Sequence, residues 1–218
     1  STVPPPLPSQ PVTETHWGVA VPDPYRFLED VKDPKVQDWL KGQANATEAL
    51  LASIPGRATL LARMREIEDA AAGLTNDVVR TESKRYFFQR RNPGEGQFKL
   101  VWRDGADGAD TVIVDPEALT KATGRPHAIM DFAPSRDGRL LAYSIQVGGG
   151  EIGTLHVIEV ATGQPVIEPV DRIRYGSTAW LDDGSGFFYS RLVEGYEKLP
   201  QGERFRDRTR HFRSLAEG

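Results

Sequence analysis

One pattern occurs twice in this chain, 46 residues apart. Phe132-Ala133-Pro134-Ser135-Arg136-Asp137-Gly138-Arg139-Leu140-Leu141-Ala142-Tyr143-Ser144 is answered by Thr178-Ala179-Trp180-Leu181-Asp182-Asp183-Gly184-Ser185-Gly186-Phe187-Phe188-Tyr189-Ser190. Five of the thirteen positions are identical, among them the Asp-Gly turn and the Tyr-Ser that closes the next apolar run. A fixed period of this size marks a repeat architecture whose unit cannot bury its own apolar face. The repeat therefore constrains the fold more than any other feature, and it leads us to expect that the chain belongs to something larger.

The surrounding pattern fits four short strands per unit. Thr75–Thr81 with Arg85–Gln89, and Phe98–Arg103 with Thr111–Val114, read as strand pairs, with Pro116–Thr120 as a short connector. Ile129–Phe132, Leu140–Gln146, Thr154–Val160 and Gln164–Ile167 read as a second unit. Ser177–Trp180 and Phe187–Arg191 open a third. Four antiparallel strands in about 40–50 residues are the dimensions of a β-propeller blade. A β-sandwich or meander would also give short strands with regular turns.

The first 72 residues differ in character. Five prolines before Val12 remove backbone donors and favour extended chain. Asp33 then offers an N-cap and Pro34 a first helical residue, predicting a helix to Ala52 that Gly42 weakens. Pro55-Gly56 breaks it, and a second helix follows over about 58–72, with Leu60, Leu61, Met64 and Ile67 on one face.

Composition removes several function classes. The net charge of −4 gives no pull toward nucleic acid or an anionic membrane. With no cysteine, thiol nucleophiles, disulfides and thiolate metal sites are excluded. No apolar run approaches the ~20 residues of a membrane-spanning helix, so we expect a soluble protein, cytoplasmic or periplasmic.

Motifs for chemistry are sparse. No Gly-x-Ser-x-Gly elbow occurs; Gly184-Ser185-Gly186 reads as a turn, and Gly176-Ser177 leads into a strand. His16, His127, His156 and His211 show no partner spacing and read as structural or exposed. There is no His-Glu-x-x-His and no calcium loop. Gly148, Gly150 and Gly153 satisfy Gly-x-Gly-x-x-Gly, but the run Thr154–Val160 reads as a strand where a dinucleotide site needs a helix. We therefore expect no cofactor and no metal, and read the glycines as a flexible interstrand loop. Asn45-Ala46-Thr47 is a sequon inside a predicted helix, and Glu29, Asp30 and Asp33 read as helix-start acids. The arginines among residues 204–213 read as a solvated tail.

Val21-Pro22-Asp23-Pro24-Tyr25-Arg26-Phe27-Leu28-Glu29-Asp30 resembles the N-terminal signature of the prolyl oligopeptidase family of serine peptidases, which has Trp where this chain has Phe27. Further resemblances follow in family order. They are Trp39-Leu40 with Gln43, Tyr86-Phe87-Phe88, Arg91-Asn92-Pro93-Gly94, and Asp115-Pro116 with Leu119. Next come Pro134–Gly138, Ala142-Tyr143-Ser144, Gly148–Thr154, Ala179-Trp180 and Asp183–Tyr189. They cover about residues 15 to 191.

The resemblance implies a mostly β chain with an N-terminal helical segment. It would hold a partial seven-bladed β-propeller, about two to three blades, plus the N-terminal part of an α/β-hydrolase domain. Residues 1–72 would pack on the peptidase domain, and residues 73–218 would form the first blades. The implied enzyme cleaves short proline-containing peptides, with the propeller gating access and the serine, aspartate and histidine lying in a C-terminal domain. No catalytic residue is then expected in this chain, and its partners would be that hydrolase domain and the remaining blades. The resemblance also makes Tyr175 an apolar wall near bound peptide; the plainer reading is a blade-edge aromatic. The competing function is a non-enzymatic propeller interaction module or an inactive fragment. Two blades with open faces should be marginally stable or prone to aggregate.

Overall fold

The computed structural model describes residues 3–175, 178–200 and 202–215. By internal contacts the chain divides into Ser1–Glu68 and Asp69–Gly218.

The first unit opens with a hairpin of β1 (Val12–His16) and β2 (Val19–Asp23). The sequence reading missed it. Its two-residue turn is Trp17-Gly18, both with positive φ (50° and 82°), the twist that antiparallel hairpins favour. Arg26 grips the hairpin like a fork, donating to both carboxylate oxygens of Glu14 (2.8 and 3.0 Å) and to Asp23 (2.9 Å).

Helix α1 (Pro34–Ala52) starts where capping chemistry places it, with Asp33 accepting from the Lys35 N–H at 2.8 Å. Its Gly42 has a packing reason. A Cβ there would lie 2.8 Å from Pro5 Cγ, and Trp39 and Gln43 on either side donate to the Pro5 carbonyl. The proline-rich arm is thus strapped across the helix. Helix α2 (Arg57–Ala70) follows. Leu60, Met64 and Ile67 of α2, and Leu40, Leu50 and Leu51 of α1, are exposed.

The second unit is a series of antiparallel sheets in chain order. The first sheet is β3 (Leu74–Arg80), β4 (Arg85–Arg91), β5 (Lys99–Asp104) and β6 (Thr111–Val114). The second is β7 (His127–Pro134), β8 (Leu140–Val147), β9 (Gly153–Glu159) and β10 (Val170–Ile173). The third is β11 (Ala179–Trp180), β12 (Gly186–Leu192) and β13 (Arg208–Ser214). Among the described residues each sheet is built of strands consecutive in sequence, the order of propeller blades rather than of a sandwich. The sheets form an open, partial propeller.

Three expectations are corrected. Residues 116–120 are not a plain connector but the start of α3 (Pro116–Thr123), capped by Asp115 and closed by left-handed Gly124. The strand expected at Gln164–Ile167 makes only the bridge Pro165–Ile158, and regular pairing to β9 resumes at Val170. Pro165 and Pro169 interrupt the donors a continuous edge strand would need. The arginine-rich stretch is not a solvated tail: β13 pairs with β12 from Leu192↔Arg208 to Gly186↔Ser214. The first strand of the third unit, expected over Ser177–Trp180, is described only in its Ala179–Trp180 part; Gly176 and Ser177 lie outside the described residues.

Two apolar clusters join the sheets. Phe87, Leu100 and Val114 of the first meet Phe132, Leu141, Ile145 and Ile158 of the second. Ala142, Leu155, Val157, Val170 and Ile173 of the second meet Phe187 of the third. Trp180 donates its indole N–H to the Ala133 carbonyl across that boundary at 2.9 Å.

The repeated Asp-Gly turn has a hidden third copy. Gly138 (φ 71°), Gly184 (φ 72°) and Lys84 (φ 67°) occupy the same left-handed position. The copies differ in length. Ser135 N–H bonds the carbonyl of Leu140 and Leu181 N–H that of Gly186, five residues on; Thr81 N–H bonds that of Arg85, four on. Phe87 therefore matches Ala142 and Phe188, not Leu141 and Phe187, and a one-residue slip exchanges the faces of a strand. Arg136 stitches these turns, pairing with Glu82 (2.6 Å) and Asp182 (2.9 Å).

Candidate functional site

The strand registers place the β4–β5, β8–β9 and β12–β13 loops at the end where each sheet's first strand begins. The segment linking β10 to β11 lies at the same end, because β10 finishes opposite Gly153. Tyr175 sits on that segment. It is 61% exposed and holds a left-handed φ of 46°, unusual for a bulky residue.

Its neighbours come from two other loops. Arg174 lays its guanidinium over the Tyr175 ring, 4.9 Å from the centroid, and over the Phe205 ring at 4.1 Å. Phe205 belongs to the β12–β13 loop. Arg174 also donates through Nε (3.2 Å) and Nη2 (2.6 Å) to Oε2 of Glu151, on the glycine-rich β8–β9 loop. Hydrogen bonding, Arg174's first, holds the Glu151 carboxyl below the usual range; in turn the Glu151 carboxylate, chiefly through hydrogen bonding, pushes the Tyr175 phenol up.

Beside this cluster lies a cleft of about 700 Å³, lined among others by Ile145, Val147, Ile152, Arg172, Arg191 and Tyr196. Arg191 binds the Asp171 carboxylate, which keeps that acid ionised below its ordinary value. Arg172 also has left-handed backbone (φ 61°), and its buried Nη1 has no hydrogen-bond partner. The cleft thus combines apolar walls from β8 and the β8–β9 loop with charged groups, the general make-up of ligand sites.

The other residues singled out by sequence are dispersed. His16 pairs with Glu14 on the hairpin, His127 contacts the Arg125 carbonyl, and His156 and His211 stack on Tyr143 and Tyr189. Strand β9, not a helix, follows Gly148–Gly153. Gly153 is needed for packing, since a Cβ would meet the Ile145 carbonyl oxygen at 2.5 Å. Ala46 of the sequon is buried in α1. Among the described residues, no three of His, Asp and Glu converge to hold a metal ion, and no helix is long and apolar enough to cross a membrane. Sequence reasoning singled out Tyr175 but not Glu151, Arg174 and Phe205, whose convergence depends on three separate loops.

A family model described as the prolyl oligopeptidase N-terminal β-propeller domain matches residues 5–204. The chain belongs to that family. Among curated relatives, the prolyl endopeptidase of Elizabethkingia meningoseptica is 28% identical over 193 residues, covering 87% of this chain and 25% of the relative. Prolyl oligopeptidase A of Amanita bisporigera is 27% identical over 203 residues, covering 82% and 26%. A solved structure from a study of two prolyl endopeptidases superposes with a TM-score of 0.82 at 30% identity, covering 97% of this chain and 30% of that one. Prolyl oligopeptidase B of Galerina marginata, bound to a 35mer substrate, shares the fold at a TM-score of 0.68 and 20% identity, covering 98% of this chain and 32% of that one. The chain spans about a quarter of the length of the curated relatives it matches. In prolyl oligopeptidase terms it corresponds to the N-terminal propeller region, and the hydrolase portion is not within it.

Proposed function

We propose that this chain is the N-terminal and propeller part of a serine-type oligopeptidase that cleaves short peptides after proline. The observation that carries the reading is the family match over residues 5–204, with prolyl endopeptidases among the relatives. In this proposal the serine, its histidine base and the orienting carboxylate come from outside these 218 residues, which contain no Gly-x-Ser-x-Gly elbow. The sheets limit which substrates reach that triad: a rim of closely packed loops passes an extended peptide and turns away a folded domain.

Tyr175 supplies one wall for the bound peptide. Its exposed ring suits a proline-rich ligand, which has few backbone donors and binds through apolar surface. Two experiments test the proposal. The purified 218-residue chain should show no turnover of a prolyl peptide, and turnover would overturn the assignment of the triad elsewhere. In the peptidase carrying this segment, Tyr175→Ala should raise KM for longer peptides more than it lowers kcat. Unchanged kinetics with peptides long enough to reach Tyr175 would remove it from the site. The competing reading is a non-enzymatic propeller interaction module or an inactive fragment.

A further inference from the structure

We propose that Arg174 is a positioning residue for peptide recognition, the pin of a three-loop clamp that sets the exposed ring of Tyr175. The inference rests on the reading of Tyr175 as a peptide-binding wall. A bulky residue in left-handed backbone is locally strained and persists only where its surroundings over-determine it. At Tyr175, with φ 46°, those surroundings are identifiable. The Arg174 guanidinium lies over both the Tyr175 and the Phe205 ring, and its charge is paired with Glu151. Glu151 in turn acts on the Tyr175 phenol, which it pushes up. One carboxylate and one guanidinium thereby tie together the β8–β9 loop, the β10–β11 link and the β12–β13 loop.

Exposure separates the roles. The Arg174 side chain is only 17% exposed, whereas Tyr175 is 61% exposed. The pin lies inside and the contact surface outside. The β8–β9 loop also needs a pin, because Gly148 and Gly149 both hold positive φ (71° and 75°) and leave its backbone little intrinsic preference. Without Arg174, Glu151 loses its ion pair and Tyr175 loses both the stack and the reason for its strained backbone. The ring would then sample several orientations, and the ordering cost would fall on peptide binding. Arginine is suited to this place, since a planar guanidinium stacks on two rings while its edge bonds a carboxylate; lysine cannot do both.

The test uses Arg174→Gln, Arg174→Lys and Phe205→Leu in the peptidase carrying this segment, with Tyr175→Ala as reference. Arg174→Gln should raise KM about five- to tenfold for peptides that reach Tyr175, the equivalent of about one ion pair and one stack. It should leave kcat, and both constants for shorter peptides, unchanged. Arg174→Lys should recover only part of the loss, and Phe205→Leu should fall between wild type and Arg174→Gln. A second readout is titration of the Tyr175 phenol by NMR, with labelled tyrosine, in the peptidase carrying this segment. Loss of the Arg174 charge alone would push that phenol further up, so a fall toward the ordinary tyrosine value reports release from Glu151. We expect the fall. A phenol that stays raised in Arg174→Gln, or an unchanged KM where Tyr175→Ala raises it, overturns the clamp and leaves the peptide wall standing. An unchanged KM in Tyr175→Ala itself overturns both.

Discussion

Phe187 and Phe188 are adjacent on β12 and point to opposite sides of the third sheet. Phe187 is fully buried in the cluster shared with the second sheet, while Phe188 is 48% exposed and packs on Phe212, itself exposed. The matching pairs in the other sheets, Phe87 with Trp102 and Ala142 with Val157, lie where one sheet meets the next. The same register position is thus core in two sheets and surface in the third. Burial in this architecture is set by the neighbour, not by the residue, which is what a repeat unit with two apolar faces requires.

The largest test of this contrast is truncation of each phenylalanine. Phe187→Ala should cost about 3–5 kcal/mol through lost burial and a cavity, enough to abolish cooperative unfolding in a marginal chain. Phe188→Ala should cost less than about 1 kcal/mol, as surface changes do. Denaturant titration distinguishes them, and equal losses would break the comparison. Trp180→Phe keeps the ring and removes only the indole donor to the Ala133 carbonyl. It should lower stability by about 1 kcal/mol, and no loss would mean that this hydrogen bond adds nothing to the junction of the two sheets. Lys84→Gly relieves left-handed backbone in the first sheet's turn and should raise stability by about 0.5–1 kcal/mol. A loss there would show that Lys84 has a contact outweighing its strain.

The smallest expected effect is a pH dependence on the opposite face of the second sheet. Burial pushes the His156 imidazole below its ordinary value, and it stacks on Tyr143 at 5.1 Å. The unfolded chain then binds the proton more readily than the folded one. The contribution is complete above the ordinary histidine value near 6.5 and declines as pH falls below it toward the lower folded value. His156→Phe should flatten the stability profile between about pH 7 and 5. An unaltered slope would assign that dependence to other groups.

The elements legible in the sequence were those with local causes. Asp33-Pro34 announced α1, and the repeated Asp-Gly announced the turns before β8 and β12, because caps and turns depend on a few adjacent residues. The Asp23–Asp30 signature led to the family for the same reason. Where long-range geometry decides, the reading failed. Residues 208–214 carry so many arginines that their alternation was hidden, yet Thr209, His211 and Arg213 fall on one side and Arg208, Arg210 and Phe212 on the other, the period of a strand. The third turn was hidden because Lys84 takes a backbone conformation normally left to glycine. Of the candidate site, only Tyr175 was visible; Glu151 and Phe205 lie 24 residues before and 30 after it and converge only through the packing of loops.

Unequal turn lengths bear on how such a chain can diverge after internal duplication. An insertion or deletion in a hairpin turn is usually regarded as harmless variation at the surface. Here one residue more or less reverses the sidedness of the following strand. Where both sides carry a large ring, as at Phe87-Phe88 and Phe187-Phe188, either sidedness fills the gap between sheets. At Leu141-Ala142 it does not, because reversal would put leucine where only a methyl group fits, and a void where leucine was. Paired aromatics therefore act as tolerance for changes in loop length, and the turn before β8 is the one that should resist them.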